Sequence, residues 1–143
     1  MNALAVKPSA KPQQALKPPA TGGKPRLLVI DDEEAIRDLM GDIFGLRYDL
    51  TLAFDGVDGL LKFHPKTFDV VICDRLMPGK NGDQVIQEIR RMDSGQKVVM
   101  CASGAKELPQ QTKESIGADA YINKPFRIDE LMDAVDRLST EKV

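Results

Sequence analysis

Short apolar runs alternate with amphipathic segments from residue 26 to the end of the chain. A continuous apolar run is typical of a strand buried on both faces of a parallel sheet. Runs of this kind predict strands at 26–30, 70–73, 96–102 and 119–123. Residues 48–53 mix polar and apolar positions, which predicts a strand at the edge of the sheet.

Between the strands, apolar residues recur at spacings of three and four, the period of an amphipathic helix. The spacing predicts a helix over 33–44, a short one ended by Pro65, one capped by Asn81, one over 108–116 and a last one near the C-terminus. The apolar positions in these five segments are Ile36, Leu39, Met40 and Ile43; Val57, Leu60 and Leu61; Val85, Ile86, Ile89 and Met92; Leu108 and Ile116; and Ile128, Leu131, Met132, Val135 and Leu138.

Five strands that alternate with five helices imply right-handed crossovers and one parallel sheet covered on both faces. The predicted fold class is therefore a doubly wound α/β fold with a five-stranded parallel sheet. The helix over 108–116 is mostly polar, with Pro109 in its first turn and Gly117 after its end. Because it offers few apolar positions, we expect it to pack loosely.

The first 25 residues differ from the rest in composition. They hold five of the nine prolines, four lysines and no acid, so they carry +4, whereas the net charge of −2 leaves −6 for the remainder. Such a segment buries too little surface to offset its ordering entropy, which predicts an extended, disordered tail at 1–25 and a folded domain at 26–143. An acidic domain argues against nucleic-acid binding, which favours a basic face.

The pattern contains no membrane span, because no apolar stretch approaches 18 residues. The four apolar residues near the start are too few for a secretory signal. Cys73 and Cys101 fall inside predicted strands, so we expect two buried, reduced thiols and a cytoplasmic protein.

Polar side chains follow four of the predicted strands, and parallel strands all end at one edge of a sheet. Three carboxylates at one edge repel each other and need a cation. Oxygen ligands without His or Cys favour a hard ion, Mg²⁺ rather than Ca²⁺. The residues at this edge are Asp31, Asp32, Asp74, Ser103 and Lys124.

A divalent cation beside a carboxylate, a hydroxyl and an ammonium group is the outline of a site for phosphoryl transfer. Lys124 and the cation would neutralise the phosphoryl oxygens, and Ser103 would donate a hydrogen bond to one of them. Asp74 would be the nucleophile and would form an aspartyl phosphate.

About residues 25–141 resemble the receiver domain of two-component response regulators, close to the single-domain chemotaxis type. The resemblance lies in Val29-Ile-Asp-Asp-Glu33, Asp74 with Met77-Pro78-Gly79, Ala102-Ser103 and Tyr121-Ile-Asn-Lys-Pro-Phe126. It implies a flavodoxin-like fold and a regulatory phospho-acceptor rather than an enzyme.

The resemblance also implies roles for individual residues. Asp74 matches the phospho-acceptor, and Lys124 matches the lysine that pairs with the phosphate and precedes a cis proline. Asp32, Asp74 and the backbone carbonyl of Leu76 match the Mg²⁺ ligands, and Asp31 matches the acid that acts through water. Ser103 and Tyr121 match the pair that switches on phosphorylation.

The implied partners are a sensor histidine kinase, which supplies the phosphoryl group from a phosphohistidine, and a downstream target protein. The target would bind the face made by the fourth helix, fifth strand and fifth helix. His64 is not the donor in this scheme, and we expect it to be a partly buried structural residue on the short second helix.

Two other interpretations remain open. A degenerate receiver would only dock partners, although all five site residues are present. A magnesium-dependent phosphatase of the haloacid-dehalogenase type would also use an aspartyl nucleophile, but Leu76 stands where its second Asp should be. Leu76 and Ala105 have no group that could orient a water, which predicts a long-lived phosphoryl state.

Overall fold

The computed structural model describes residues 23–141, and nearly all of the predicted tail lies outside this range. The described part contains a single sheet of parallel strands in the order β2-β1-β3-β4-β5. The predicted doubly wound α/β fold is confirmed. The strands are β1 (Arg26–Ile30), β2 (Asp49–Ala53), β3 (Val70–Asp74), β4 (Val98–Ala102) and β5 (Ala120–Asn123).

Helices cover both faces of this sheet, as the alternating pattern predicts. The first and last helices bury Met40, Phe44, Leu131 and Val135 against one face, while the three middle helices pack on the other. A short 3₁₀ turn, Ala105–Glu107, precedes the fourth helix. The helices are α1 (Glu34–Phe44), α2 (Gly56–Lys62), α3 (Gly82–Met92), α4 (Gln110–Ile116) and α5 (Ile128–Thr140).

The strand that ends in Asp74 lies at the centre of the sheet. All five residues of β3 are buried, and β1 and β4 flank it with parallel pairing. β2 lies at the edge, as its mixed pattern predicts. The central position puts Asp74 between the ends of two neighbouring strands.

The packing of α2 agrees with the prediction at Leu60, which packs against the core, but differs from it at two other positions. Val57 and Leu61 are 53% and 73% exposed, whereas Gly56 and Gly59 are buried. A Cβ added at Gly59 would lie 2.5 Å from Cδ1 of Ile30, so this helix approaches the sheet through glycine. The helix also ends at Lys62, which leaves His64 half-buried but beyond the helix rather than on its face.

Smaller differences affect three other helices. Met92 and Ile128 are exposed, since each lies at a helix end beyond the covered face. Pro109 is the N-cap of α4 instead of a residue of its first turn. Ile116 is the one fully buried residue of α4, and Gly117 ends the helix with a φ of 76°. The loose packing and the stop at Gly117 agree with the sequence.

Both cysteines are free and buried. Burial raises the pKa of each thiol above its usual range, so both remain protonated and unreactive. Within residues 23–141, none of the helices combines the length and the apolar character that crossing a bilayer requires.

Candidate functional site

The carboxyl edge of the sheet holds the predicted site residues on rigid backbone. Asp31 and Asp32 follow β1, Asp74 ends β3, and Lys124 follows β5 directly. Backbone hydrogen bonds continue past the strand ends, from Asp31 N to Ala53 O at 3.1 Å and from Lys124 N to Ala102 O at 3.0 Å. These hydrogen bonds fix the backbone positions of Asp31 and Lys124.

The ammonium group of Lys124 is surrounded by carboxylates. Its Nζ lies 3.0 Å from Oδ2 of Asp31, 3.1 Å from Oδ1 of Asp74 and 3.2 Å from Oε1 of Glu33. The Asp31 and Asp74 side chains are only 3% and 6% exposed. Three carboxylates therefore share one cation, two of them in a buried setting where charge interactions are strong.

The three aspartates form a group that could hold a cation. One carboxylate oxygen from each of Asp31, Asp32 and Asp74 lies within 4.8 Å of the others. Lys124 neutralises part of their combined charge, and the donor set consists of oxygen alone. These properties fit a hard divalent cation such as Mg²⁺, which prefers few carboxylates and keeps several waters.

Burial also affects the protonation of the site. Burial and the neighbouring Asp31 carboxylate raise the pKa of Asp74 to about 6, against the opposing charge of Lys124. Burial raises the pKa of Asp31 as well, although the Glu33 N–H and Lys124 oppose the shift. Burial alone would lower the pKa of Lys124. Its hydrogen bond to Asp31 and the negative charges of Asp31 and Asp74 outweigh burial and raise this pKa overall. A carboxylate with a raised pKa in contact with a lysine is characteristic of a functional site.

The start of α3 positions the backbone of Asp74. A Cβ at Gly82 would lie 2.4 Å from the carbonyl oxygen of Asp74, so only glycine allows this approach. Arg75 forms a two-pronged ion pair with Asp83, at 3.0 Å and 3.1 Å. Asn81 caps the helix through a reciprocal capping box with Gln84. Together these contacts hold the loop after β3 against the helix.

The other predicted site residues lie near the same edge but outside the charge cluster. Ser103 follows β4 directly and its side chain is exposed. Leu76 is 74% exposed in the loop after Asp74. Tyr121 points toward α4: its hydroxyl donates to the Lys113 carbonyl at 2.7 Å. The Lys124–Pro125 bond is cis, as the resemblance implies.

The tertiary structure gives contacts at the site to two residues for which the sequence analysis proposed no role. Glu33 contacts Lys124, and the Arg37 Nη1 donates to the backbone carbonyl of Asp31 at 2.9 Å. A signal existed for Glu33, because it belongs to the Val29-Ile-Asp-Asp-Glu33 motif that carries the resemblance. Nothing in the local sequence marks Arg37.

The loop after Ser103 is tied to the end of β5. Asn123, the residue before Lys124, accepts a hydrogen bond from Lys106 N at 2.8 Å and donates to Glu107 at 3.2 Å. The turn that carries Ser103 into α4 is thus connected directly to the strand that carries Lys124. These hydrogen bonds would transmit a shift of the turn after Ser103 to the end of β5, and a shift of β5 to the turn.

The chain is similar in sequence to known proteins. The family model for the response regulator receiver domain matches residues 27–136. The chemotaxis protein CheY of Halobacterium salinarum is 31% identical over 116 residues, which cover 80% of this chain and 97% of the relative. The transcriptional regulatory protein DltR of Streptococcus agalactiae is 31% identical over 118 residues, and the match spans 52% of its length.

Solved structures agree with this assignment. The receiver domain of the Francisella response regulator 1452 is 30% identical, with a TM-score of 0.69 and coverage of 81% of this chain and 97% of that one. The non-phosphorylated HemR receiver domain of Leptospira biflexa, 23% identical, has the same fold at a TM-score of 0.74, with coverage of 84% and 98%. From its sequence match and its fold, the chain belongs to the response regulator receiver domain family of two-component signalling.

Proposed function

We propose that the chain is a phospho-accepting receiver that takes a phosphoryl group onto Asp74 from a phosphohistidine of a sensor histidine kinase. The observation that supports it best is the buried Asp74 carboxylate in contact with Lys124, beside Asp31 and Asp32. A docking module would have no need for three acids and a lysine in one place, because burying such charges is costly.

In the proposed transfer, a carboxylate oxygen of Asp74 forms the new bond to phosphorus. The bond from phosphorus to the donor imidazole nitrogen breaks, and that nitrogen keeps the electron pair and takes a proton from solvent. Lys124 donates hydrogen bonds to the phosphoryl oxygens, and the hydroxyl of Ser103 donates another. The protein thus assists its own modification mainly by positioning and by charge.

A divalent cation fits the donor set of this site. Asp32, Asp74 and the carbonyl of Leu76 would hold Mg²⁺, with Asp31 acting through water. When bound, the ion supplies positive charge that stabilises the transferring phosphoryl group. Asp74 would then be fully ionised, because a nearby cation favours the carboxylate over the acid.

The modification would act on a downstream target through the face of α4, β5 and α5. Ser103 would turn toward the phosphoryl group and the ring of Tyr121 would move inward behind it. The loose packing of α4 and the tie from Asn123 to the preceding turn support a movable element at this face. A cytoplasmic location stays a prediction.

The first test is magnesium-dependent modification by acetyl phosphate, measured by intact mass. The wild type should gain one phosphoryl group, and Asp74→Asn should gain none, because an amide oxygen is a poor nucleophile. Asp133→Asn removes an equally charged but exposed side chain of α5 and should be modified like the wild type. Modification of Asp74→Asn at the wild-type level would contradict the proposal.

Two further measurements, beryllofluoride binding and hydrolysis of a small phosphate ester, separate the two alternatives. A docking module that has lost phosphorylation would take up neither a phosphoryl group nor beryllofluoride. A phosphatase would release phosphate repeatedly from a small generic ester such as p-nitrophenyl phosphate. We expect a single modification per chain and no such turnover.

A further inference from the structure

We propose that Glu33 is a positioning residue that holds Lys124 in the unphosphorylated protein and releases it when the phosphoryl group arrives. Glu33 therefore competes with the phosphoryl group for Lys124 and lowers the affinity of the site for the phosphoryl group. The inference rests on the proposed function, in which Lys124 pairs with a phosphoryl group on Asp74.

Three carboxylates surround the ammonium group of Lys124. An ammonium group carries three N–H donors, and the structure places three carboxylates around it. Their oxygens lie at 3.0 Å for Asp31, 3.1 Å for Asp74 and 3.2 Å for Glu33. Nζ donates hydrogen bonds to Asp31 and Glu33. Because Asp74 itself would carry the phosphoryl group, Asp31 and Glu33 are the acceptors that compete with the phosphoryl oxygens for the ammonium group.

Glu33 is the contact that water can replace most easily. Its side chain is 61% exposed, whereas those of Asp31 and Asp74 are almost fully buried. An exposed ion pair contributes little, because solvent screens it and the long side chain loses freedom in forming it. Breaking the buried pair with Asp31 would instead leave an uncompensated charge in a setting of low polarity.

The position of Glu33 in the helix gives a second, independent reason. Glu33 is the N-cap of α1, where Ser, Thr, Asp or Asn would accept hydrogen bonds from the first turn. Its side chain makes no capping bond to α1. Its backbone N–H donates to Oδ1 of Asp31 at 2.9 Å, which fixes the direction from which its side chain reaches Lys124. The Glu33 side chain therefore pairs with Lys124 and does not cap α1.

The inference is tested by titrating beryllofluoride, a phosphoryl mimic, against the protein with saturating Mg²⁺, followed by ¹⁹F NMR. Glu33→Gln removes the charge. Glu33→Asp keeps the charge but is one methylene too short for the contact, and it supplies a good N-cap. Both variants should bind beryllofluoride about two- to fivefold more tightly, the factor expected for an exposed ion pair.

Glu34→Gln is the matched control. Glu34 is the next residue and is exposed, and it is not among the three ion-pair partners of Lys124 in the described part of the chain. The variant changes net charge as Glu33→Gln does, so its affinity should stay near that of the wild type. Two outcomes would overturn the competitor role and leave overall charge as the explanation. One is equal affinity for beryllofluoride in Glu34→Gln and Glu33→Gln, and the other is wild-type affinity in Glu33→Asp.

A second measurement needs neither magnesium nor a phosphoryl mimic. The ¹⁵N signal of the Lys124 ammonium group in the metal-free protein should shift in both Glu33 variants and stay in place in Glu34→Gln. An unmoved signal in both Glu33 variants would show that Glu33 does not hold the lysine. Failure of the wild type to bind beryllofluoride at all would instead contradict the proposed function, so the two failures are distinguishable.

Discussion

At the scale of single residues, the environment of Leu76 and Ala105 affects how the phosphoryl state would decay. Hydrolysis of an acyl phosphate needs a water placed in line with the bond to Asp74, and neither residue can orient one. Leu76 is 74% exposed beside the site, whereas Ala105 is fully buried at the start of the 3₁₀ turn. A polar group at position 76 would face solvent, but a charged one at 105 would have to enter the interior.

Leu76→Asn should therefore shorten the lifetime of the phosphoryl group on Asp74. The amide can hydrogen-bond to water, and we expect phosphate loss to rise roughly tenfold, less than a general base contributes. The measurement is the decay of the modified protein by intact mass after removal of acetyl phosphate.

Leu46→Asn serves as the control for this change. Leu46 is also highly exposed but lies in the connection between α1 and β2, at the opposite edge of the sheet from Asp74. The phosphoryl group of Leu46→Asn should decay at the wild-type rate. A slower or unchanged rate in Leu76→Asn would show that position 76 does not control hydrolysis. Ala105→Glu is a poor test of the same idea, because burying its charge would disturb the fold.

At the scale of elements, α2 contacts the sheet through a glycine and a single large apolar side chain, Leu60. Gly59 lies so close to Ile30 that a methyl group would fall 2.5 Å, 2.8 Å and 3.0 Å from three of its carbons. Ile30 is fully buried and branched, so it cannot move aside easily. The close approach places α2 directly against the strand that delivers Asp31.

Gly59→Ala should destabilise the protein even though alanine is the better helix former. Overpacking a filled core costs about 1–3 kcal/mol, and the gain in helix propensity offsets up to about 1 kcal/mol of it. Gly41→Ala in α1 is the control, because a methyl group there meets nothing within 4 Å. It should stabilise the protein by about 0.5–1 kcal/mol.

Urea unfolding followed by circular dichroism gives both free energies of unfolding. The free energy of unfolding should fall in Gly59→Ala and rise in Gly41→Ala. A stabilised Gly59→Ala protein would mean that α2 has room to move away from Ile30, and that its exposed residues, not its glycines, determine its position.

At the scale of the whole molecule, the site and α4 are connected through β5. Asn123, the residue before Lys124, accepts a hydrogen bond from Lys106 in the turn after Ser103. Two positions earlier, the hydroxyl of Tyr121 accepts from Ala118 N at 3.2 Å and donates to the Lys113 carbonyl, so it holds the end of α4. One short strand therefore contacts both the charged cluster and the most weakly buried helix.

Beryllofluoride with Mg²⁺ should change amide hydrogen exchange in residues 106–117. A segment with few buried side chains opens at low free energy, so small shifts in its anchors alter its protection. Mass spectrometry of peptides from 106–117 measures the effect, and peptides from α3, which has a full capping box, supply the comparison. Equal exchange of 106–117 with and without the mimic would rule out α4 as the movable element.

Much of this architecture follows from the sequence, because it depends on local pattern and on general rules of chain topology. The apolar runs ending in Asp31 and Asp74 are long enough to identify buried strands, and their alternation with helices implies a parallel sheet. Once the sheet is parallel, all strand ends meet at one edge. Asn81 and Gly117 mark helix ends through capping and a positive φ, which are also local properties.

The tertiary structure alone decided which side chains meet across elements. Periodicity marks Val57 and Leu61 as core positions, yet both are exposed, while Gly59 lies against Ile30 of the sheet and Gly56 against Val85 of α3. The contact of Glu33 with Lys124 joins residues that lie 91 positions apart. Periodicity reports which face of an element is apolar, but the distance between packed elements and the reach of a charged side chain depend on the whole fold.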